Sequence, residues 1–355
     1  MATEITQKTG LTNIGLKKIL YHKYHLFPDV IPVNLYRRLT GMKLVAPFYH
    51  AVSDHPLPHL DCLYRVRTSR EFEADLEMLL IDFQPVDLQT LIKAVREKVP
   101  FQKPVFFLSF DDGLREFHDN AVPVLLRKGV PATCFLNSAF IDNKDMFYRY
   151  KVCLIMNEIS KKSRELVPLV NRWLTAKKLQ PSSYRRFLMK IDYSQRHLAD
   201  ELANLLNLSF ENYLHEQSPY LTAGQIAALI KKGFTFGSHS IDHPGFTGIP
   251  EKEQVRQTVE STYEITGKFN LPYRVFSFPF TDFGIQRDFF GKINATAHFD
   301  LTFGCAGMKK DSYHNHLQRI PVEEYDLNIR KRIKRDYFYY ILKSFVSKNK
   351  VKRNR

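Results

Sequence analysis

No stretch of this chain approaches the roughly 20 consecutive apolar residues that a membrane-spanning helix needs, so the sequence predicts no integral helical membrane protein. The start, Met1 to Gly15, is polar and mixed; it lacks the roughly 7–15 residue apolar core of a secretory signal. Cysteine is scarce. Cys62, Cys134, Cys153 and Cys305 are far apart, form no Cys-x-x-Cys pair and mostly have apolar neighbours. They read as small buried side chains in a reducing compartment. Internal repeats are absent, and the only low-complexity segment is a basic tail. The expectation is a cytoplasmic protein, with a peripheral position at the inner membrane face left open by that tail.

What is present is concentrated in two short segments. Phe106 to Gly113, Phe-Phe-Leu-Ser-Phe-Asp-Asp-Gly, sets two adjacent carboxylates at the end of an unbroken apolar stretch. Such a run bounded by glycine reads as a buried strand of a parallel sheet, and ligands of α/β folds gather at the carboxyl ends of those strands. Two crowded carboxylates repel unless a cation is near, which predicts a metal ligand beside a group free to handle protons. The second segment, Phe234 to His243, is another strand-like run that ends in His239 and His243. Four residues apart, they would share one face of a helical turn. Two imidazoles and one carboxylate make a three-ligand set that leaves a coordination position open for water, as catalytic rather than structural sites do. Taken alone, Asp-Asp is more often a helix cap and His-x-x-x-His more often surface. Each following a buried-type strand, the two together favour a site.

At these residues the chain resembles the polysaccharide deacetylases, the NodB-homology or carbohydrate esterase 4 group. Its Thr/Ser-Phe-Asp-Asp-Gly signature stands as Ser109-Phe110-Asp111-Asp112-Gly113, and its His-Ser/Thr-x-x-His as His239-Ser240-Ile241-Asp242-His243. Phe48-Tyr49-His50-Ala51-Val52 and Pro131 to Leu136 are weaker echoes of its early Tyr-His-x-Val and its Ala-Thr-Phe-Phe strand. The similarity covers roughly Leu44 to Asn137 and Tyr220 to Val322. It implies a distorted barrel of about seven strands and one divalent ion, zinc by preference, held by Asp112, His239 and His243, with Asp111 as general base. Substrate contacts fall to His50, Pro279 and Phe280. Two departures stand out. The arginine that orients the base in the family is replaced by Ser277 in Phe276-Ser277-Phe278-Pro279-Phe280, leaving Arg274 or Arg319 to supply the charge. The family's late histidine general acid has no clear equivalent, since His314 and His316 are poorly placed.

The chain has 355 residues, 44% hydrophobic and 25% charged, enough for a sizeable core. Strand-type runs at Leu44–Tyr49, Val105–Phe110, Ala132–Leu136, Phe234–Gly237, Val275–Phe278, Asp300–Phe303 and Leu317–Ile320 alternate with helical patterns, which predicts an α/β fold of parallel βα units. From Phe140 to Pro219 the apolar spacing is helical only. The expected organisation is an N-terminal helical extension (1–43) and a barrel (44–322) interrupted by a helical insertion (140–219). A basic C-terminal helix and tail (323–355) follows. The formal charge is +15, and ten of those charges fall between Arg330 and Arg355, where eleven Lys or Arg meet one acid. Ile333, Tyr337, Ile341 and Phe345 recur at helical spacing, which fits either an anionic membrane surface or packing on the barrel followed by a solvated tail. No nucleic-acid recognition motif accompanies the charge. The resemblance implies hydrolytic removal of an acetyl group from an N-acetylated sugar of a glycan or its precursor. The alternatives are a glycan-binding or membrane-docked module without turnover, or an O-deacetylase or deformylase.

Overall fold

The computed structural model describes residues 27–179, 182–323 and 327–354. Of the expected N-terminal extension, the segment before Phe27 lies outside the described residues, as does the stretch read for a signal.

Every strand-type run contains strand, and eight strands form one parallel sheet. They are β1 (Pro47–Tyr49), β2 (Ser109–Phe110), β3 (Thr133–Leu136), β4 (Thr235–Ser238), β5 (Val275–Ser277), β6 (Leu301–Gly304), β7 (His316–Gln318) and β8 (Ile320–Pro321). Their order is β7-β6-β5-β4-β3-β2-β1-β8. Only Arg319 separates β7 from β8, so one bent segment pairs with β6 on one side and β1 on the other. The sheet thereby nearly closes into a barrel. Two of the expected runs are broken: Leu44–Val45 and Val105–Phe106 leave the barrel and join Gln84–Pro85 in a separate sheet.

The strands are short and packed closely. A Cβ on Gly237 would meet Val275 Cγ2 at 2.6 Å and Phe135 Cε1 at 2.7 Å, so β4 fits beside its neighbours only with glycine there. The helices that cover the barrel start where sequence rules place them. Thr68 with Glu71 and Thr222 with Gln225 form capping boxes for the helices Ser69–Asp82 and Ala223–Lys231, each satisfying two otherwise orphaned amides. Because all strands run the same way, the residues after β1, β2, β4, β5 and β8 emerge on one face: His50, Asp111, His239, Phe278 and Val322.

Between β3 and β4 the chain makes the helices Tyr148–Lys161, Ser163–Ala176, Tyr184–Lys190, His197–Leu205 and Phe210–Gln217. They share a core of Tyr150, Ile155, Val170, Leu188 and Leu202 that runs into Ala51, Leu60 and Leu114 of the barrel loops. Cys153 of the first helix is disulfide-bonded to Cys62, 91 positions away, with Cα atoms 5.4 Å apart. This corrects the reading of four separate thiols, because the pairing is a tertiary contact that linear spacing does not reveal. Cys134 is buried and Cys305 half-buried, and neither is part of a disulfide. A loop of that length gives about 4–5 kcal/mol of stabilisation in the chain-entropy account. Thiol labelling of the unfolded, unreduced protein is expected to modify two cysteines, rising to four after reduction. Labelling of all four without reductant would remove the bridge.

The C-terminal helix spans Ile329–Ser344. Ile333 and Tyr337 are in the core, Tyr36 stacks on Tyr337 at 5.7 Å, and Arg335 meets Asp29 at 3.0 Å. Of the apolar stripe seen in the sequence, Ile333, Tyr337 and Ile341 therefore pack on the core, whereas Phe345 is exposed. The tail beyond it is not simply solvated. Lys350–Val351 pairs with Lys310–Asp311, and Arg353 inserts between Asp282 and Asp311.

Candidate active site

Asp111 and Asp112 follow β2 in unlike backbone states. The Asp111 amide donates to Tyr49 O at 2.9 Å, whereas Asp112 has φ 71° and Gly113 φ 66°. A Cβ on Gly113 would press Leu136 Cδ2 at 2.8 Å. The two residues thus sit on a sharp turn that this glycine permits, with both carboxylates near His239 Nε2, Asp111 Oδ2 at 3.9 Å and Asp112 Oδ1 at 3.4 Å. His239 follows β4, where its amide donates to Leu136 O at 2.8 Å and its Nδ1 bonds Ser277 O at 2.8 Å. His243 does not share a helical turn with it, contrary to the spacing. A loop with Ser240 at φ 76° and His243 at φ 61° folds back, held by the His243 amide on Ser240 Oγ at 3.0 Å. Left-handed backbone at Asp112, Ser240, His243 and Phe280 concentrates strain where a site is built.

Asp112 Oδ1 lies 3.4 Å from His239 Nε2 and 3.2 Å from His243 Nε2. It is buried and accepts no hydrogen bond. Its other oxygen accepts from the Tyr150 hydroxyl. Burial lowers the His239 pKa to about 4, so its Nε2 offers a lone pair at neutral pH. Burial alone would raise the Asp112 pKa, but the imidazoles of His243, His50 and His239 hold it well below the usual range. A bare carboxylate oxygen facing two imidazole nitrogens, all within 4.8 Å, fits a divalent cation with an open position. A second cluster, Asp282, Asp311 and His316, does not, because the Arg353 guanidinium already lies between its carboxylates. About one divalent ion per chain is expected on purification. Elemental analysis of His239→Ala and His243→Ala should show it lost, and full occupancy in both variants would refute this ligand set.

Asp111 accepts a two-pronged hydrogen bond from Arg319, Nη1 to Oδ1 and Nη2 to Oδ2, both at 2.7 Å. Arg319 is fully buried at the bend between β7 and β8, over the Phe48 ring at 4.2 Å, and also donates to Ser109 Oγ at 3.0 Å and Ser277 Oγ at 2.5 Å. Burial opposes ionisation of Asp111, but the Arg319 guanidinium, together with His239 and His50, outweighs it and lowers the pKa. Arg319, not Arg274, therefore places a cation on Asp111, with Ser277 standing where the family has its arginine. Arg274 instead lies over Tyr263 at 5.5 Å.

His50 Nδ1 is 2.5 Å from Glu323 Oε2, and its amide donates to the same carboxylate at 3.0 Å. Burial disfavours the imidazolium, yet Glu323, Asp112 and Asp111 raise the His50 pKa to about 9. Tyr64 stacks on the ring at 4.5 Å. Glu323 was not singled out in the sequence. Its signal is register alone, since β8 pairs with β1 and the Val322 amide reaches Phe48 O at 3.1 Å. His314 bonds Val95 O and His316 bonds Asp282, so neither lies at this site.

His50, Asp111, Asp112, His239 and His243 line one cavity of about 670 Å3, within the roughly 300–1,000 Å3 of small-molecule sites. Its walls are mostly aromatic. The insertion contributes Phe147, Arg149 and Tyr150, with the Phe147 ring 4.0 Å from His243. Phe280 faces His243 at 4.7 Å. Pro279, expected to touch substrate, is buried and does not line the cavity; it shapes the turn that presents Phe280.

Solved structures with the same fold include a Streptococcus pyogenes deacetylase, PplD, at TM-score 0.52 and 13% identity, covering 82% of this chain and 96% of that one. IcaB from Ammonifex degensii matches at 0.52 and 15%, covering 82% and 97%. A de-N-acetylase from Aggregatibacter actinomycetemcomitans matches at 0.51 and 15%, covering 82% and 99%. At such identities the likeness speaks for the fold. No curated protein matches the chain in sequence. The profile of the family described as Polysaccharide deacetylase matches residues 98–289, more than half of the chain and both motif segments, and the chain belongs to that family.

Proposed function

We propose that this hydrolase of carbon–nitrogen bonds other than peptide bonds is metal-dependent and removes the acetyl group from an N-acetylated amino sugar of a glycan or glycan precursor. The observation that carries the reading is the orphaned, buried Asp112 Oδ1 between two imidazoles, with a second carboxylate beside it held ionised by Arg319. Asp112, His239 and His243 would hold the ion, with zinc the preferred candidate. When bound, it supplies a hydroxide equivalent near neutral pH and polarises the acyl carbonyl.

Everything else falls to side chains of this protein. Asp111 takes a proton from the attacking water; Arg319 keeps it ionised and fixed in orientation. His50, with Nδ1 anchored on Glu323, donates a proton from Nε2 to the departing amine, leaving acetate and a free amino sugar. Tyr150 holds the far oxygen of Asp112, so that Oδ1 faces the imidazoles. Phe147 and Phe280 give the acyl methyl an apolar wall. With Arg319 on the base and His50 as the acid, each of the two departures from the family's pattern has a residue of this chain to take its place, which favours turnover over a binding module. Acetate release measured across N-acetyl, O-acetyl and N-formyl sugars, with and without a chelator, tests the reading. Release from O-acetyl or formyl sugars alone would shift it to that chemistry.

His50→Ala is expected to lower turnover by roughly 100- to 10,000-fold, the usual cost of losing general acid catalysis. In the native enzyme, activity should fall as pH rises through about 9, where His50 loses its proton. The same raised pKa contributes stability that is present below the unfolded value of about 6.5 and lost as pH rises through the folded one. A pH–rate profile of His50→Ala that keeps the native alkaline limb would remove His50 from the role. Compartment rests on the thiol measurement above. An oxidised Cys62–Cys153 pair argues for an oxidising location, and a reduced pair for the cytoplasmic one.

A further inference from the structure

The cavity is poor in partners for sugar hydroxyls. Outside the catalytic groups, the Tyr64 and Tyr150 hydroxyls are 3.4 Å apart and Tyr150 also serves Asp112. Thr281 Oγ1 accepts from the Phe283 amide, and Cys305 Sγ donates to Phe280 O. Among the described residues, no Asn, Gln or Ser lines the walls. Arg149 and Lys309 can only donate, so the wall offers a polymer's hydroxyls few side-chain acceptors, and each hydroxyl buried without a partner carries a cost. An apolar and anionic appendage avoids that cost, because the remaining wall is aromatic and carries Arg149 and Lys309.

The mouth continues the theme. Among the described residues, the exposed phenylalanines are Phe280 at 45%, Phe283 at 60% and Phe345 at 81%. Phe280 and Phe283 stand on the cavity wall. Tyr339, another lining residue, shares its helix face with exposed Leu342, and that face points on to exposed Val346 and Phe345 just past the helix end. From there the chain pairs with Lys310–Asp311 beside Lys309, and its last residues hold the loop after Phe280. Arg353 Nη1 donates to Asp282 O at 2.7 Å and the Arg287 amide to Asn354 O at 2.9 Å. Exposed Lys310, Lys348, Lys350 and Lys352 belong to this rim. Aromatic side chains ringed by lysines match the chemistry of an anionic bilayer surface.

We propose that the mouth of the cavity docks on anionic lipid, and that the substrate is an N-acylated amino sugar carried on an anionic lipid headgroup. The sugar part rests on the function proposed above; the docking does not. The docking test is flotation of the full chain with phosphatidylcholine vesicles with and without phosphatidylglycerol. Binding is expected only with phosphatidylglycerol, weakening as salt rises. It should fall about fivefold for each lysine neutralised in Lys348→Gln and Lys350→Gln, and also in Phe345→Ser/Val346→Ser. The Phe345→Ser/Val346→Ser variant should retain native turnover of a soluble N-acetyl sugar. Absence of native binding at low salt, or binding unchanged in every variant, overturns the docking surface. Acetate release is then compared between a long-chain alkyl phosphate ester of N-acetylglucosamine in those vesicles and an N-acetylglucosamine oligomer. Faster release from the oligomer overturns the substrate class and leaves the deacetylase reading intact. Release from neither, with docking observed, overturns the deacetylase reading and the substrate class while leaving the surface.

Discussion

Asp111→Asn is expected to cut acetate release by roughly 100- to 10,000-fold while the purified variant keeps its metal. Asn is nearly isosteric, but its amide cannot take the proton of the attacking water. Metal retention follows from the geometry, because the bare oxygen aimed at His239 and His243 belongs to Asp112 and Asp111 Oδ2 lies farther from His239 Nε2, at 3.9 Å. The same change leaves Arg319 buried against a neutral partner, at a stability cost of about 3–5 kcal/mol for a broken buried pair. Thermal melting and circular dichroism are therefore needed beside the kinetics. Native turnover in a folded, metal-loaded Asp111→Asn protein would place the base elsewhere, whereas release of metal would exchange the roles of the two aspartates.

Asp111, Asp112, His239 and His243 were legible because they are local. Each pair follows an apolar run, and parallel strands send all following residues to one face, so two linear motifs suffice to meet. Even there the spacing misled. His239 and His243 meet through a left-handed loop, not a helical turn, because Ser240 and His243 adopt positive φ that residue spacing does not encode. The fold class was legible for the same reason: alternation of apolar runs with helical patterns needs no knowledge of register. The nearly closed sheet depends on the bend at Arg319, and nothing in the linear pattern distinguishes it from an open sheet.

What escaped the sequence is carried by contacts between distant positions. Glu323 reaches His50 across 273 positions and Arg319 reaches Asp111 across 208; both follow from strand pairing at the closing seam. Tyr150 lies inside a helix whose apolar spacing marks it as core, which it also is, so its bond to Asp112 left no separate trace. The tail misled in the other direction. Its charge count suggested a solvated end, yet Arg332 and Arg335 are buried beside Asp336 and Asp29, and Arg353 beside Asp282 and Asp311. Acids scattered across the sequence neutralise a run that looks unbalanced when read alone.

Replacing Arg319 by Met is expected to cost about 3–5 kcal/mol of stability, because it strands a buried carboxylate that keeps its desolvation cost and loses its partner. The sign of the accompanying pH effect also changes. In the native protein the lowered Asp111 pKa contributes stability that is present above the unfolded value of about 3.9 and lost as pH falls through the folded one. Without the guanidinium, burial dominates and Asp112 adds like-charge repulsion, so the Asp111 pKa rises. Its contribution then becomes destabilising as pH rises past the unfolded value. The acidic limb of the pH–rate profile should move up accordingly, since the base is protonated over a wider range. Arg319→Lys separates charge from geometry: it restores a cation but not the two-pronged contact, and is expected to recover part of the stability with less of the turnover. An unshifted acidic limb in a folded Arg319→Met protein would show that Arg319 supports the barrel seam without tuning the base.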